Sequence, residues 1–453
     1  MARLEAPKQG DGDSPGASTL EPSRESMPAT GNESLSQSDR ARGRRLALMS
    51  HPAGNAFSVA LTEFLPTIAL LSLGAGESIV GGQSAVRTFA NLLQLPTLRR
   101  VARIPKRTIL LRGHLLAIVG MLPLLAFTPL REAAQAGDPW PAWIAFASLA
   151  VAAAGISISS TVWFPMLRAY VDPDRIGRFF GLLRSGWHFT LIVFYLGAAY
   201  WLSRAPGDFA PLFAVVLIFG IVRLLLIARM PEQSELTDQG IRVREAFALV
   251  RNNPRLRRLL ATVGSGQALR VSVLPFALVM LRREVGFTEA ELLSTSIAIF
   301  SGGLASLYFW GRVIDRQGAA IVFQGTSIGL ALLTLSLIVV STSGENAFGG
   351  ALLFFFLYAI LSSGFGMADT HVLFKLTPVD SPARTLVAAA VSVGVVAALV
   401  PFIAGIALEY GLRSAPDRLL VYHVFFTIAA TVQAINWWPA RHFGLDHDQE
   451  TWA

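Results

Sequence analysis

Ionisable side chains inside apolar stretches are the residues of this chain that could do chemistry. Glu63 stands near the middle of FSVALTEFLPTIALL, residues 57 to 71. Arg87 lies inside IVGGQSAVRTFANLLQLP, and Arg270 lies inside TVGSGQALRVSVLPF. If these stretches cross a membrane, an ionised side chain within them is costly and commonly marks a binding site or an ion pathway.

Glu63 and Arg87 lie at similar predicted depths. At a helical rise of 1.5 Å per residue, their distances from the same membrane surface differ by about 3 Å, so the two side chains can pair. Two interpretations remain open. The pair either fastens the first two segments together, or Glu63 exchanges a proton whose affinity Arg87 modulates.

The segment around Arg87 carries a polar stripe. Gln83, Arg87, Asn91 and Gln94 recur at helical spacing and share one face. Inside a membrane such a stripe must face other helices or a water-filled path. We therefore expect Gln83, Arg87 and Asn91 to line a substrate cavity.

Arg270, with Gln267 three residues before it, is a second candidate for substrate binding. A guanidinium fork suits a carboxylate or phosphate, which favours an anionic or zwitterionic solute. Pairing with another acid, or extension to the membrane rim, is the structural alternative.

Two weaker candidates lie in other segments. His188 shares a helical face with Tyr195, and the pair lines a cavity or simply packs by hydrogen bonding. Asp369 lies near the inner end of its segment, where it forms a gate contact or an ion pair that anchors a loop; substrate binding is the alternative.

Enzyme chemistry finds no support in the sequence. GTSIG, residues 325 to 329, matches a nucleophile pattern but lies inside an apolar segment, where the required strand and turn are absent. The chain has no cysteine, and its one histidine-rich stretch, HFGLDHD, lies in a polar tail. We expect no catalytic residues, metal or cofactor.

The elements that position these residues are predicted to be transmembrane helices. Hydrophobic residues make up 53% of the chain and charged residues 15%, a balance typical of integral membrane proteins. Twelve apolar segments have the length of about 20 residues that crosses a bilayer as a helix. Their predicted spans are 53–73, 79–98, 108–128, 141–167, 181–203, 209–230, 258–281, 290–311, 320–341, 347–370, 385–408 and 418–439.

Polar stretches divide the chain further. Residues 1–46 are rich in Ser, Gly and Pro and predict a disordered tail without a signal peptide, and residues 442–453 predict a short C-terminal tail. The long connection 231–257 separates the six-helix bundles 47–230 and 258–441. The stretch around Arg316 resembles the stretch around Arg103, and the stretch around Asp380 resembles the stretch around Asp172. Nearly the same number of residues separates the two members of each pair, which indicates internal duplication.

Basic residues favour one side of the predicted membrane. The loops on the side of the N-terminus hold most of them, and the opposite loops hold few. By the positive-inside rule both termini are cytoplasmic. The net charge of +8 is therefore an orientation signal rather than evidence for nucleic-acid binding, and we expect the basic inner face to contact anionic lipid.

The segment GRVIDRQG, residues 311 to 318, resembles the cytoplasmic-loop motif G-x-x-x-D-R-x-G of the major facilitator superfamily. Gly311, Asp315, Arg316 and Gly318 match it, and the segment lies between helices eight and nine, where that family has its second copy. The first-half copy keeps Arg103 but has Leu98 and Ala102 where the family has Gly and Asp.

This resemblance implies an all-α integral membrane protein with twelve transmembrane helices in two pseudo-symmetric six-helix bundles. It implies a secondary transporter of a small solute that works by alternating access. The mid-membrane carboxylate of Glu63 predicts proton coupling, and we expect a monomer in the bacterial inner membrane. The alternatives are a passive facilitator of the same fold and a non-transporting assembly or sensor protein. The fifth segment lacks the Gly-Pro-Gly-Gly run of the family's drug/proton antiporters, which disfavours multidrug export.

Overall fold

The structure is a computed structural model that describes residues 35–101, 104–171, 176–232, 248, 250–375 and 382–440. These residues form α-helices and short 3-10 turns, with no strand among them. In chain order the helices are α1 Gln37–Ala60, α2 Phe64–Ser72, α3 Glu77–Ala90, α4 Gln94–Val101, α5 Lys106–Met121, α6 Phe127–Gln135, α7 Trp140–Arg168, α8 Ile176–Arg204, α9 Ala210–Ala228, α10 Pro254–Arg283, α11 Glu289–Gln317, α12 Ala319–Thr342, α13 Ala347–Lys375, α14 Pro382–Ser414, α15 Arg418–Ile435 and α16 Trp437–Ala440.

Ten helical stretches of the described chain are long and apolar enough to cross a membrane, and an eleventh counts if the bent stretch of α11 is one span. The predicted segment 79–98 is not among them. It forms α3 and α4 with a 3-10 turn between them at Asn91–Leu93, and its polar stripe lowers its hydropathy. The all-α membrane-protein fold is as predicted, and among the described residues ten or eleven of the twelve predicted segments meet this criterion.

The first span is also interrupted, and proline explains where. Pro66 lies in the first turn of α2. In a continuous helix its ring would clash with the carbonyl of Thr62, four residues earlier, whereas a first-turn position needs no N–H donor. The chain therefore leaves the helical conformation at Glu63, whose φ and ψ are −115° and −112°.

The first helix extends further than predicted. It begins at Gln37, whereas the sequence placed residues up to 46 in a disordered tail. Ser36 caps its first turn by accepting from the N–H of Asp39 at 3.1 Å, and the acidic side chain of Asp39 suits a helix N-terminus. The remaining tail residues and most of the connection 231–257 lie outside the described residues.

Consecutive long helices alternate in direction, which defines two faces. We call the face on which α1 begins the proximal face and the opposite one the distal face. Helices of the first half of the chain, α1 to α9, pack largely on one another, as do those of the second half. The main contacts across the halves join α3 to α14, α8 to α11, and α2 and α3 to α10.

Glycine allows the closest contact across the halves. An ideal Cβ at Gly81 of α3 would lie 2.3 Å from the carbonyl oxygen of Pro401 of α14. On the other side, a Cβ at Gly405 would lie 2.6 Å from the carbonyl oxygen of Glu77. Only glycine fits at such backbone distances, so α3 and α14 are in direct backbone contact near the distal face.

Candidate functional site

A cavity between the halves has two lobes that share Glu63, Arg270 and Leu274. The narrow lobe, of about 420 Å³, lies between α3, α10 and α14. The wide lobe, of about 880 Å³, lies between α8, α11 and α13. Both extend toward the proximal ends of the helices, because their linings include Leu260 and Leu373 in one case and His371 in the other.

Glu63 lies where the lobes meet, and it contacts both halves of the chain. Its Oε1 is 2.8 Å from Nη2 of Arg87 in α3 and 3.8 Å from Nη2 of Arg270 in α10. The Glu63 side chain is 16% exposed, against 37% for Arg87 and 45% for Arg270. The ion pair expected from matching depths is therefore present, and a second arginine joins it from the other half.

The break at Glu63 makes this arrangement possible. A side chain in a continuous helix projects along one face, whereas Glu63 sits between two helical segments with non-helical backbone dihedrals. Both arginines retain donors that contact no other described carboxylate. These guanidinium groups are the part of the cluster to which an acidic group of a ligand can bind.

The polar stripe of α3 faces the narrow lobe. Gln83, Arg87 and Asn91 line it, and Gln267 and Asp369 line it from α10 and α13. The Asn91 side-chain oxygen also accepts from Gln94 at 3.2 Å and from Ser157 at 3.4 Å, which fixes the end of the stripe.

His188 lines the wide lobe, whereas Tyr195 lines neither lobe. The Nδ1–H of His188 donates to the carbonyl oxygen of Arg184 at 2.9 Å, and Nε2 lies beside Gly303. Tyr195 is fully buried and stacks on Phe300, with ring centroids 5.5 Å apart. Seven residues place it on the same helical face as His188 but about 10 Å nearer the distal face, above the cavity.

The loop motif is split between the cavity and the proximal surface. Gly311 and Asp315 line the wide lobe, whereas Arg316 is exposed. Neither Asp315 nor Arg316 forms an ion pair with another described residue. Gly318 has φ of +84° and separates α11 from α12, a conformation that favours glycine. Arg103 lies outside the described residues.

The sequence did not predict the charged contacts that close the distal face. Glu77, 3% exposed at the start of α3, pairs with Arg283 at the end of α10 and accepts from the Tyr422 hydroxyl at 2.9 Å. Glu409 of α14 accepts from the Ser78 N–H at 3.1 Å. We call these five residues the distal network. Charged residues at helix ends were a signal for it, but their partners lie far apart in the chain.

A further contact joins the halves on the same face. The Gly207 N–H donates to Oε2 of Glu289 at 2.6 Å, and Arg282 lies 3.6 Å from the other oxygen of that carboxylate. Gly207 belongs to the turn between α8 and α9, whereas Glu289 begins α11. The distal face is thus closed at separate points across the halves, while the cavity extends toward the proximal face.

The sequence also did not predict a buried arginine. Arg223 of α9 is 6% exposed, and its guanidinium carbon lies 4.8 Å from the centre of the Trp163 ring. Its Nε has no hydrogen-bond partner among the described residues. A single Arg within FGIVRLLLIA was the available signal, but its position near the helix end suggested a loop instead.

The arrangement of ionisable side chains in the cavity supports binding of charged groups. Among the described residues no group of three or more His, Cys, Asp or Glu could hold a metal ion. The ionisable residues of the cavity instead form opposite-charge contacts or face open space.

A family model described as Major Facilitator Superfamily matches residues 46–405. No curated protein matches the sequence. The comparison with solved structures, in contrast, finds transporters of similar fold.

Three of these structures illustrate the similarity. A mutant of the nucleoside transporter NupG has a TM-score of 0.66 at 12% identity, covering 89% of this chain and 99% of that one. A D-xylose-proton symporter has a TM-score of 0.63 at 13% identity, covering 87% and 97%. A bacterial homologue of the iron transporter ferroportin, in its inward-facing state, has a TM-score of 0.62 at 16% identity, covering 88% and 98%.

Proposed function

Because the chain belongs to the major facilitator superfamily, we propose that it is a secondary active transporter that moves a small solute by alternating access. The observation that carries this proposal is the position of Glu63. One carboxylate lies between an arginine of each half, in the wall of a cavity between the halves. A solute or proton that binds there acts on both halves at once.

The distribution of basic residues supports an orientation with the proximal face in the cytoplasm of a bacterial cell. The distal network then closes the outer face, and the cavity opens inward. This is one of the two states that alternating access requires. Both termini are cytoplasmic in this orientation, and the protein works as a monomer in the inner membrane.

Proton coupling follows from competition at the two arginines. An ionised Glu63 holds Arg87 and Arg270 together across the halves. Protonation of Glu63 removes its negative charge and frees both guanidinium groups for an acidic group of the solute. Proton binding and solute binding therefore favour each other, which is what proton symport requires.

Transport measurements test this proposal. A thermal-stabilisation screen of the purified protein against a metabolite library identifies a solute, since a ligand of the folded state raises the unfolding temperature. Uptake of that solute into proteoliposomes is then measured with and without an imposed pH gradient. We expect accumulation against a gradient by the natural sequence but only equilibration by Glu63→Gln.

Glu345→Gln is the matched control, because Glu345 is exposed on the distal face outside the cavity. It should accumulate solute like the natural sequence. Equal accumulation by Glu63→Gln would contradict coupling through Glu63. Equilibration without accumulation by the natural sequence would indicate a passive facilitator, and ligand binding without any flux would indicate a sensor.

A further inference from the structure

The narrow lobe is lined by charged side chains of both signs in equal number. Arg87 and Arg270 are positive, and Glu63 and Asp369 are negative when ionised. When Glu63 is protonated, as proposed above for solute binding, the two arginines and Asp369 remain charged, so the lobe still offers charges of both signs to a solute. A solute that carries one charge of each sign matches it, provided that the charges of the lobe are separated.

The packing of α10 on α13 gives that separation. An ideal Cβ at Gly266 of α10 would lie 2.5 Å from the Phe365 ring of α13, so these residues share one level. Arg270 lies one turn from Gly266 toward the distal face, and Asp369 lies one turn from Phe365 toward the proximal face. At 1.5 Å per residue the two α-carbons differ by about 12 Å along the helix axes.

Asp369 is available to a ligand. It is half-buried in a membrane-spanning helix, and its carboxylate forms no ion pair or hydrogen bond with any other described residue. Glu63, in contrast, already contacts two arginines. Because carboxylates inside membrane spans are usually paired, Asp369 is suited to receive a cation from the solute.

The wall between these charged ends is apolar. The side of the narrow lobe formed by α14 contains small aliphatic residues and a glycine, without a polar side chain: Ala389, Ala390, Val393, Gly394 and Ala397. Leu260 and Val263 of α10 continue it. This wall offers no hydrogen bonds and favours an apolar body.

We propose that the narrow lobe binds an elongated zwitterion. Its acidic group contacts Arg87 and Arg270, its ammonium group contacts Asp369, and its apolar body lies along α14. This assignment rests on the proposed transport function in one respect only, that the lobe is a solute site. It adds the substrate class, and it selects the binding role of Asp369 over the gate contact and the loop-anchoring ion pair.

The test uses three probes with the same six-carbon body: 6-aminohexanoate, hexanoate and hexylammonium. Their apparent affinities for the purified full-length protein are measured from the concentration dependence of its unfolding temperature. We expect 6-aminohexanoate to bind about tenfold more tightly than either singly charged probe, because it makes two charge-assisted contacts. 4-Aminobutyrate, too short to reach both ends, should bind more weakly than 6-aminohexanoate or 8-aminooctanoate.

Variants of Asp369 identify the cation subsite. Asp369→Asn should reduce 6-aminohexanoate binding about tenfold, to the level of hexanoate, while hexanoate binding stays unchanged. Asp369→Glu keeps the charge and should keep the preference for the zwitterion, which separates a binding role from a folding role. Partitioning of the probes into detergent affects all variants equally.

Several results would overturn the proposal. They are tighter binding of hexanoate than of 6-aminohexanoate, an undiminished zwitterion preference in Asp369→Asn, or no stabilisation by any probe of the length series. None of them affects the proton-coupled transport proposed above, because that is measured with whichever solute the library screen identifies. Conversely, if the proposal of proton coupling through Glu63 failed, the binding measurements would still test the preference for a zwitterion.

Discussion

At the scale of single residues, one oxygen atom of Glu63 forms ion pairs with an arginine of each half of the chain. Its two partners are not equivalent, because Arg87 is 2.8 Å away and Arg270 is 3.8 Å away. Removing one partner of a partly buried ion pair leaves the other charge uncompensated, which costs more than the pair itself contributes. This asymmetry makes the contribution of Arg87 to stability measurable.

Arg87→Met should lower the unfolding temperature of the natural sequence but change that of Glu63→Gln much less. The expected coupling between the two sites is about 0.5 to 3 kcal/mol, because the variants share one contact. Unfolding temperatures of the two single variants and the double variant measure it. Arg204→Met, at the distal end of α8, is the control and should be additive with Glu63→Gln. Equal losses from Arg87→Met in both backgrounds would disprove the coupling.

At the scale of elements, α3 and α14 form the tightest contact between the halves. Their backbones touch at Gly81 and Gly405, and the distal network begins at the same ends of the same helices. Backbone packing and buried charge therefore close the distal face together. Each contribution can be weakened separately.

Gly81→Ala should destabilise the protein by about 1 to 3 kcal/mol, because its new methyl group would meet the Pro401 carbonyl and push the helices apart. Gly197→Ala is the matched control. Gly197 lies within α8 with no heavy atom within 4 Å of an added Cβ, so alanine should be neutral or slightly stabilising through its helix propensity. Unfolding temperatures compare the two, and equal effects would contradict the close contact.

Glu77→Gln should loosen the distal face, because an amide cannot replace the ion pair of Glu77 with Arg283. The chain has no natural cysteine, so Thr67→Cys provides a single thiol; Thr67 is 1% exposed and lines the narrow lobe one turn beyond Glu63. A membrane-impermeant maleimide added from the distal side should label this thiol faster in Glu77→Gln. Glu291→Gln, which affects only the capping box of its own helix, should not change the rate.

At the scale of the whole molecule, the distal contacts and the proximal cavity define one state of a two-state system. Alternating access requires a second state in which the distal face opens while the proximal face closes. A bound solute shifts the populations only by its difference in affinity for the two states. Distances across the halves therefore report on function directly.

Paired spin labels measure this change. On binding of the transported solute, the distance between labels at Asp138 and Glu345, both exposed on the distal face, should lengthen in part of the population. The distance between labels at Arg229 and Gln317, on the proximal face, should shorten in the same fraction. Labels at Asp138 and Ser203 lie within the first half and should not change. Parallel changes on both faces would contradict alternating access.

Sequence reasoning reached the parts of the site that depend on one helix or on neighbouring segments. The similar depths of Glu63 and Arg87 in two successive segments predicted that they can pair, and helical spacing predicted that the stripe of α3 lines the cavity. It placed Tyr195 beside His188, because a shared face does not specify depth. The approach of Arg270 and the pairing of Glu77 with Arg283 join distant segments, so they depend on tertiary packing. Pro66 was a local signal for the helix break at Glu63, which the hydropathy of the segment does not reveal.

The equal number of positive and negative side chains in the narrow lobe has an electrical consequence. If the solute is a zwitterion, the loaded carrier differs in charge from the empty one only by the proton on Glu63. Each transport cycle then moves one elementary charge, so a membrane potential of 100 mV contributes about 2.3 kcal/mol, whatever the solute concentration. Solute-induced current in reconstituted membranes would equal the proton flux, and collapsing the voltage would reduce accumulation even without a pH gradient.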